Sequence, residues 1–164
     1  MQYINVTIEL LKAYSSTKRM KELLALAIWF KMQHSNSVIW NVTTFKLRKG
    51  LHIGKVKAER LIRDMKDSDL FSVEGNKVVV SSFRDHTTKW TKKGREYRGA
   101  MVCKFEVREY TMKELYNLIN EKLFVYTICA AEYKDCCMKA SDDGKIGAKG
   151  KAITIGQFQK AINM

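Results

Sequence analysis

The chain has 164 residues, 46% of them hydrophobic, so it can bury the core of one compact domain or of two small ones. Thirty Lys and Arg against seventeen Asp and Glu leave a net charge of +13, which favours a polyanionic partner, nucleic acid first and an anionic membrane surface second. The longest unbroken apolar run, Leu23 to Phe30, is well short of the ~20 residues that cross a bilayer, so no membrane partner is expected.

Residues 1–15 fit two patterns. Tyr3, Val6, Leu10 and Tyr14 fall roughly on one helix face, while Tyr3 to Ile8 alternates as a strand does, and a strand or extended arm is the reading adopted. The opening MQYINVTIELLK has no basic segment ahead of a long apolar one, so no signal peptide and a cytoplasmic location are expected. The four cysteines, Cys103, Cys129, Cys136 and Cys137, then fit reduced thiols. No proline interrupts any helix.

Ser16 or Thr17 can cap a helix running to about His34. Met20, Leu23, Leu24, Ala27 and Ile28 form one apolar stripe, and Leu26, Trp29 and Phe30 fill the other side, as expected of a central helix buried on most faces. Ser37 to Trp40 is a short β-prone stretch. Asn41 or Thr43 caps a helix over Thr44 to Lys49, with Phe45 and Leu47 directed inward. Gly50 is the expected left-handed C-cap and Leu51 the buried residue of the turn.

A longer helix follows at Gly54 to Asp67. Ala58, Leu61, Ile62 and Met65 keep the i, i+3, i+4, i+7 spacing of a core-facing stripe. At about 100° per residue, Arg60 and Arg63 then point outward, with Lys57 on one flank, Lys66 on the other, and Val56 one turn before Arg60. A guanidinium can bind a guanine edge in a fork, and an apolar side chain can touch a thymine methyl, so Lys57, Arg60, Arg63 and Val56 are the candidate base-reading residues. Leu70, Phe71 and Val73 form one strand and Lys77 to Val80 the next, with Gly75 and Asn76 in a tight turn between them.

Residues 84–99 change character. Arg84, Lys89, Lys92, Lys93, Arg95 and Arg98 are interleaved with Trp90 and Tyr97, the mixture of cations and aromatic faces that a phosphate backbone with stacked bases would meet. A solvated loop, or a hairpin whose Trp and Tyr simply pack, fits the same residues. Met101 to Val107 alternates as a strand. Thr111 to Glu114 is a capping box opening a helix to about Lys139, whose stripe of Leu115, Leu118, Ile119, Leu123, Tyr126 and Cys129 could pack on the rest of the chain or pair two copies as a homodimer. Ser141 to Lys151 is a linker by composition. Thr154 to Ile162 starts a short amphipathic helix, expected to be either a docking element or the beginning of a second helix-turn-helix continued beyond Met164.

Catalytic and metal signatures are absent from the spacing. There is no C-x-x-C, and His34, His52 and His86 are far apart, so no structural zinc is expected. Neither a P-loop nor a G-x-G-x-x-G, G-x-S-x-G or H-E-x-x-H pattern occurs. Neither an enzyme nor a cofactor is expected.

The segment from about Lys21 to Ser82 resembles the winged helix-turn-helix domains of bacteriophage and mobile-element proteins, among them replication initiators and transcription regulators. The residues that carry the likeness are LLALAIWFKMQHSN, SVIWN, the turn KGLHIG, the helix KVKAERLIRDM and the hairpin LFSVEGNKVVV. The turn departs from the pattern by the extra residues His52-Ile53-Gly54. The resemblance implies an α+β fold of three helices plus a small antiparallel hairpin, here extended by a further strand and a long C-terminal helix. It also implies double-stranded DNA as partner, Lys57, Arg60 and Arg63 at the bases, and Lys46, Lys49, His52 and Lys77 at phosphates. Lys55, and Lys89, Lys92, Lys93, Arg95 and Arg98 of the arm, join them as phosphate candidates on their own charge and position, apart from the resemblance. The expected organisation is a winged unit at 1–83, the basic arm and strand at 84–110, the long helix at 111–140, and linker plus short helix at 141–164. Two other functions fit the same features: a protein-docking module on a winged scaffold, and single-stranded DNA or RNA binding through the arm.

Overall fold

The computed structural model describes residues 2–83, 88–91, 94–97 and 102–124, the two short stretches by their backbone alone. The fold is mixed α plus β. The chain divides after Ile119, and the unit up to that residue carries every feature of the site.

Strand β1 (Tyr3–Thr7) begins the chain, as the alternation predicts. Thr7 ends it by accepting a hydrogen bond from the Leu10 backbone N–H, which opens helix α1 (Ile8–Ala13), a turn that the alternation concealed. Helix α2 (Lys18–Gln33) is capped by Thr17, whose hydroxyl accepts from the Met20 N–H. Residues Glu22 through Phe30 of α2 are all buried, as befits a helix packed against β1, a sheet and a second helix.

Strand β2 (Val38–Trp40) and helix α3 (Thr44–Leu51) follow, the latter capped by Thr43. Two expectations fail in α3. Phe45 faces solvent at 69% exposure, while Leu47 and Leu51 hold the core side. Gly50 is not the C-cap but a residue within the helix, and His52 takes the left-handed conformation instead, with φ 55° and ψ 50°. The reason is packing: a side chain at residue 50 would collide with the Trp29 indole, so glycine is needed there for closeness rather than for a turn.

Helix α4 (Lys55–Lys66) starts from Gly54 and buries Ala58, Leu61 and Met65, while Ile62 is half-buried. Strands β3 (Phe71–Glu74) and β4 (Lys77–Val80) form a hairpin around Gly75-Asn76. Only Gly75 of the pair has positive φ, 58°, as a first central residue of a type II′ turn requires. Strand β2 adds antiparallel to β4, with Ile39 opposite Val78, so the sheet order is β2-β4-β3. The Phe30 ring meets Phe71 edge-on, with centroids 6.2 Å apart, joining α2 to this sheet.

Strands β5 (Thr88–Thr91) and β6 (Gly94–Tyr97) pair with each other. Strand β7 (Val102–Glu106) returns to pair antiparallel with β1, Ile4 opposite Phe105 and Val6 opposite Cys103. The unit therefore extends past the expected boundary at residue 83. Helix α5 (112–124) opens on the expected capping box: the Glu114 N–H donates to the Thr111 hydroxyl and the Thr111 N–H to a Glu114 carboxylate oxygen, both at 3.2 Å. Leu115 and Ile119 are buried. The expected continuation to Lys139, the linker, the helix at 154–162, and Cys129, Cys136 and Cys137 lie outside the described residues. Among the described residues, no helix is long and apolar enough to cross a membrane.

Candidate nucleic-acid interface

Helix α4 presents one face to α2 and α3 and the other outward. Ala58, Leu61 and Met65 fix its rotation, so the positions opposite them are Val56 and Arg63, with Glu59 and Lys66 alongside. Val56 is 81% exposed, unusually bare for an aliphatic residue on a packed helix. Arg63, Lys66, Glu59 and Lys55 are exposed as well. Lys55 and Glu59 approach within 4.0 Å, a weak i, i+4 pair in water.

Arg60 does not stand with them: it is half-buried and paired within the chain. Its position lies towards the α2 side of the outer face, and its Nη2 donates to both carboxylate oxygens of Glu22 on α2, at 3.0 and 3.1 Å. Lys57, one turn earlier, places its Nζ 3.1 Å from Glu22 Oε2. Glu22 is only 1% exposed, and its two partners retain 33% (Lys57) and 25% (Arg60) of their side-chain exposure. The Arg60 Nε is enclosed with no hydrogen-bond partner, because the guanidinium meets the carboxylate through one nitrogen instead of a fork. Of the four expected base readers, Val56 and Arg63 stand free on the outer face, and Lys57 and Arg60 are drawn to the flank by a buried carboxylate.

Sequence reasoning missed Glu22 and Glu59. A signal for Glu22 existed: it is an acid one residue ahead of an eight-residue apolar run that has to be buried. Its burial then required cations from another element.

The expected phosphate contacts divide into three groups. Lys46, Lys49 and His52 sit on α3 and its cap, where they line a cleft of about 620 Å³ together with Trp29, Phe45 and Tyr110. Glu109 and Glu114 stand at the same cleft, so it carries both signs of charge. Lys49 holds its Nζ 5.9 Å from the Phe45 ring centroid. His34 also opens onto the cleft, and burial, helped by the nearby Lys46 charge, holds its imidazole below the ordinary value of 6.5. Lys55 and Lys77 form the second group, at the start of α4 and at the base of the β3–β4 turn. The third group is the arm. Lys89 and Arg95 fall on β5 and β6, with Trp90 paired in register with Arg95, while Lys92, Lys93 and Arg98 lie outside the described residues.

No family model, curated protein or solved structure matches the chain.

Proposed function

We propose that the chain is a double-stranded DNA-binding protein, a transcription regulator or replication protein of the phage and mobile-element kind, built on a winged helix-turn-helix. The observation that carries this reading is the run α2, β2, α3, α4, β3, β4 with strand order β2-β4-β3, in which, among the described residues, the outer face of α4 and the tip of the β3–β4 hairpin are uncovered. An α-helix with its side chains is ~10–12 Å across, and the major groove is ~12 Å wide. In this reading α4 enters the groove with Val56 and Arg63 towards the bases, while Lys46, Lys49, His52, Lys55 and Lys77 contact phosphates on either side. The net charge of +13 supplies the sequence-independent attraction. Pairing of two copies through the helix beginning at 112 would place two such helices on a two-fold site, and sedimentation equilibrium checks it.

The test is selection from a pool of random duplexes at two salt concentrations. The reading expects an enriched sequence, and affinity that falls steeply between about 50 and 200 mM salt. Recovery of no sequence, with no salt-dependent retention of duplex, overturns it. One observation favours a protein-docking use of the same scaffold: Phe45 and Val56 are bare aromatic and aliphatic side chains on α3 and α4. That use predicts negligible duplex retention at about 150 mM salt.

A further inference from the structure

Glu22 sits where a core side chain belongs. It lies at the start of the nine-residue buried stretch of α2 and is itself 1% exposed. Its carboxylate gathers two cations from α4, Arg60 at 3.0 and 3.1 Å and Lys57 at 3.1 Å. Withdrawing either cation to a solvent-screened phosphate would weaken the pairing of a buried anion, and withdrawing both would leave it stranded. A water-exposed phosphate contact returns less than that stranding costs. The two cations are therefore held to the protein, although both keep enough exposure to be mistaken for duplex contacts.

Along the outer face run Val56, Glu59 and Arg63, spaced i, i+3, i+7, with the exposed Lys55 and Lys66 at its two ends. Seven residues rise roughly 10 Å along the helix, which is about three base steps at 3.4 Å each. Each of the three has a distinct base chemistry: a thymine methyl for Val56, the cytosine amino group for the Glu59 carboxylate, a guanine edge for Arg63. A carboxylate beside phosphates would be repelled, so Glu59 is favourable only over the floor of the groove. We infer that Glu22 is a positioning residue that withholds Lys57 and Arg60 from the duplex, leaving sequence to be read by Val56, Glu59 and Arg63. This rests on the DNA-binding reading above.

The experiment repeats the duplex selection and the salt titration with the full chain and with Glu22→Gln, Glu59→Gln and Arg60→Ala. Glu22→Gln keeps the shape of the side chain and frees two cations. It should raise affinity for random duplex and steepen the salt dependence by up to about two in the slope of log affinity against log salt, near 0.9 per phosphate gained, while the ratio of best to random sequence falls. Glu59→Gln should change the preferred base at one position with the slope unmoved. Arg60→Ala should enrich the same sequence as the parent. A merely structural Glu22 would alter the unfolding midpoint and leave the slope where it was. The inference is overturned if Arg60→Ala loses the parent's sequence, if Glu59→Gln enriches it unchanged, or if a folded Glu22→Gln keeps the parental slope. Should Glu22→Gln not fold, the other two variants decide. A parent that enriches nothing overturns the DNA reading itself, and this inference with it. A parent that enriches a site while the variants depart from expectation overturns the inference alone.

Discussion

The indole of Trp29 occupies the space in which a side chain on Gly50 would begin. A Cβ at residue 50 would overlap Cζ2 of that ring and stand 2.8 Å from Cη2. Trp29 is buried and stacks at a tilt on Phe30, 5.4 Å between centroids, so moving the ring aside would disturb that contact. Alanine within a helix is favoured over glycine by about 1 kcal/mol, but forcing a methyl into a packed contact costs roughly 1–3 kcal/mol. Gly50→Ala is therefore expected to lower the urea midpoint. A midpoint at or above the parent's would show that α3 is not seated against Trp29.

Gly54 gives the opposite expectation from the same residue type. It caps α4 with extended backbone, φ −75° and ψ 165°, and no side chain satisfies the free N–H groups of the first turn. A Cβ there meets nothing within 4 Å. Gly54→Ser adds a capping hydroxyl worth a few tenths of a kcal/mol and removes unfolded-chain freedom worth about 0.4–1. Thermal unfolding should rise by a few degrees. An unchanged or lower midpoint would mean that the α3–α4 turn needs glycine for another reason.

These two glycines show what is legible in this sequence and what is not. Caps are decided within three residues, so Thr17, Thr43 and the Thr111–Glu114 box stand where the sequence predicts them. The β3–β4 turn and the Ala58, Leu61, Met65 stripe are local in the same sense. Gly50 misleads because its use is set by Trp29, 21 positions away in the chain. The β1–β7 pairing, with the Cys103 thiol donating to the Val6 carbonyl 97 residues distant, has no local trace at all. Arg60 misleads for a different reason. Helix periodicity fixes where a Cα–Cβ bond points, but a long side chain ends wherever its charge is best matched, and the match is on another helix.

His34 makes stability depend on pH in a defined direction. Burial, and then the Lys46 charge, hold its folded value below 6.5, so the unfolded chain binds more protons than the folded one in the window just below 6.5. This contribution is complete above 6.5 and is lost progressively as the pH falls from there through the lower folded value. Urea midpoints at about pH 7.5 and 5.5 should differ in the parent, and the difference should shrink in His34→Gln. An identical difference in the variant would place the pH dependence elsewhere.

The Glu22 cluster predicts a non-additive pattern in stability that needs no ligand to observe. With Arg60→Ala, the carboxylate keeps Lys57 at 3.1 Å; with Lys57→Ala, it keeps both hydrogen bonds from Arg60. Each single change should therefore be mild, on the order of 1 kcal/mol. The double change leaves a carboxylate at 1% exposure with neither cation, and breaking a buried pair outright costs roughly 3–5 kcal/mol. A double-mutant cycle should show the pair exceeding the sum of the singles by at least about 1 kcal/mol. The converse change, Glu22→Leu, should cost less than the double, because Lys57 and Arg60 keep partial exposure and can turn their charged ends to water on long stems. Additive singles, or a Glu22→Leu variant as unstable as the double, would mean that the buried anion is not what holds α4 to α2.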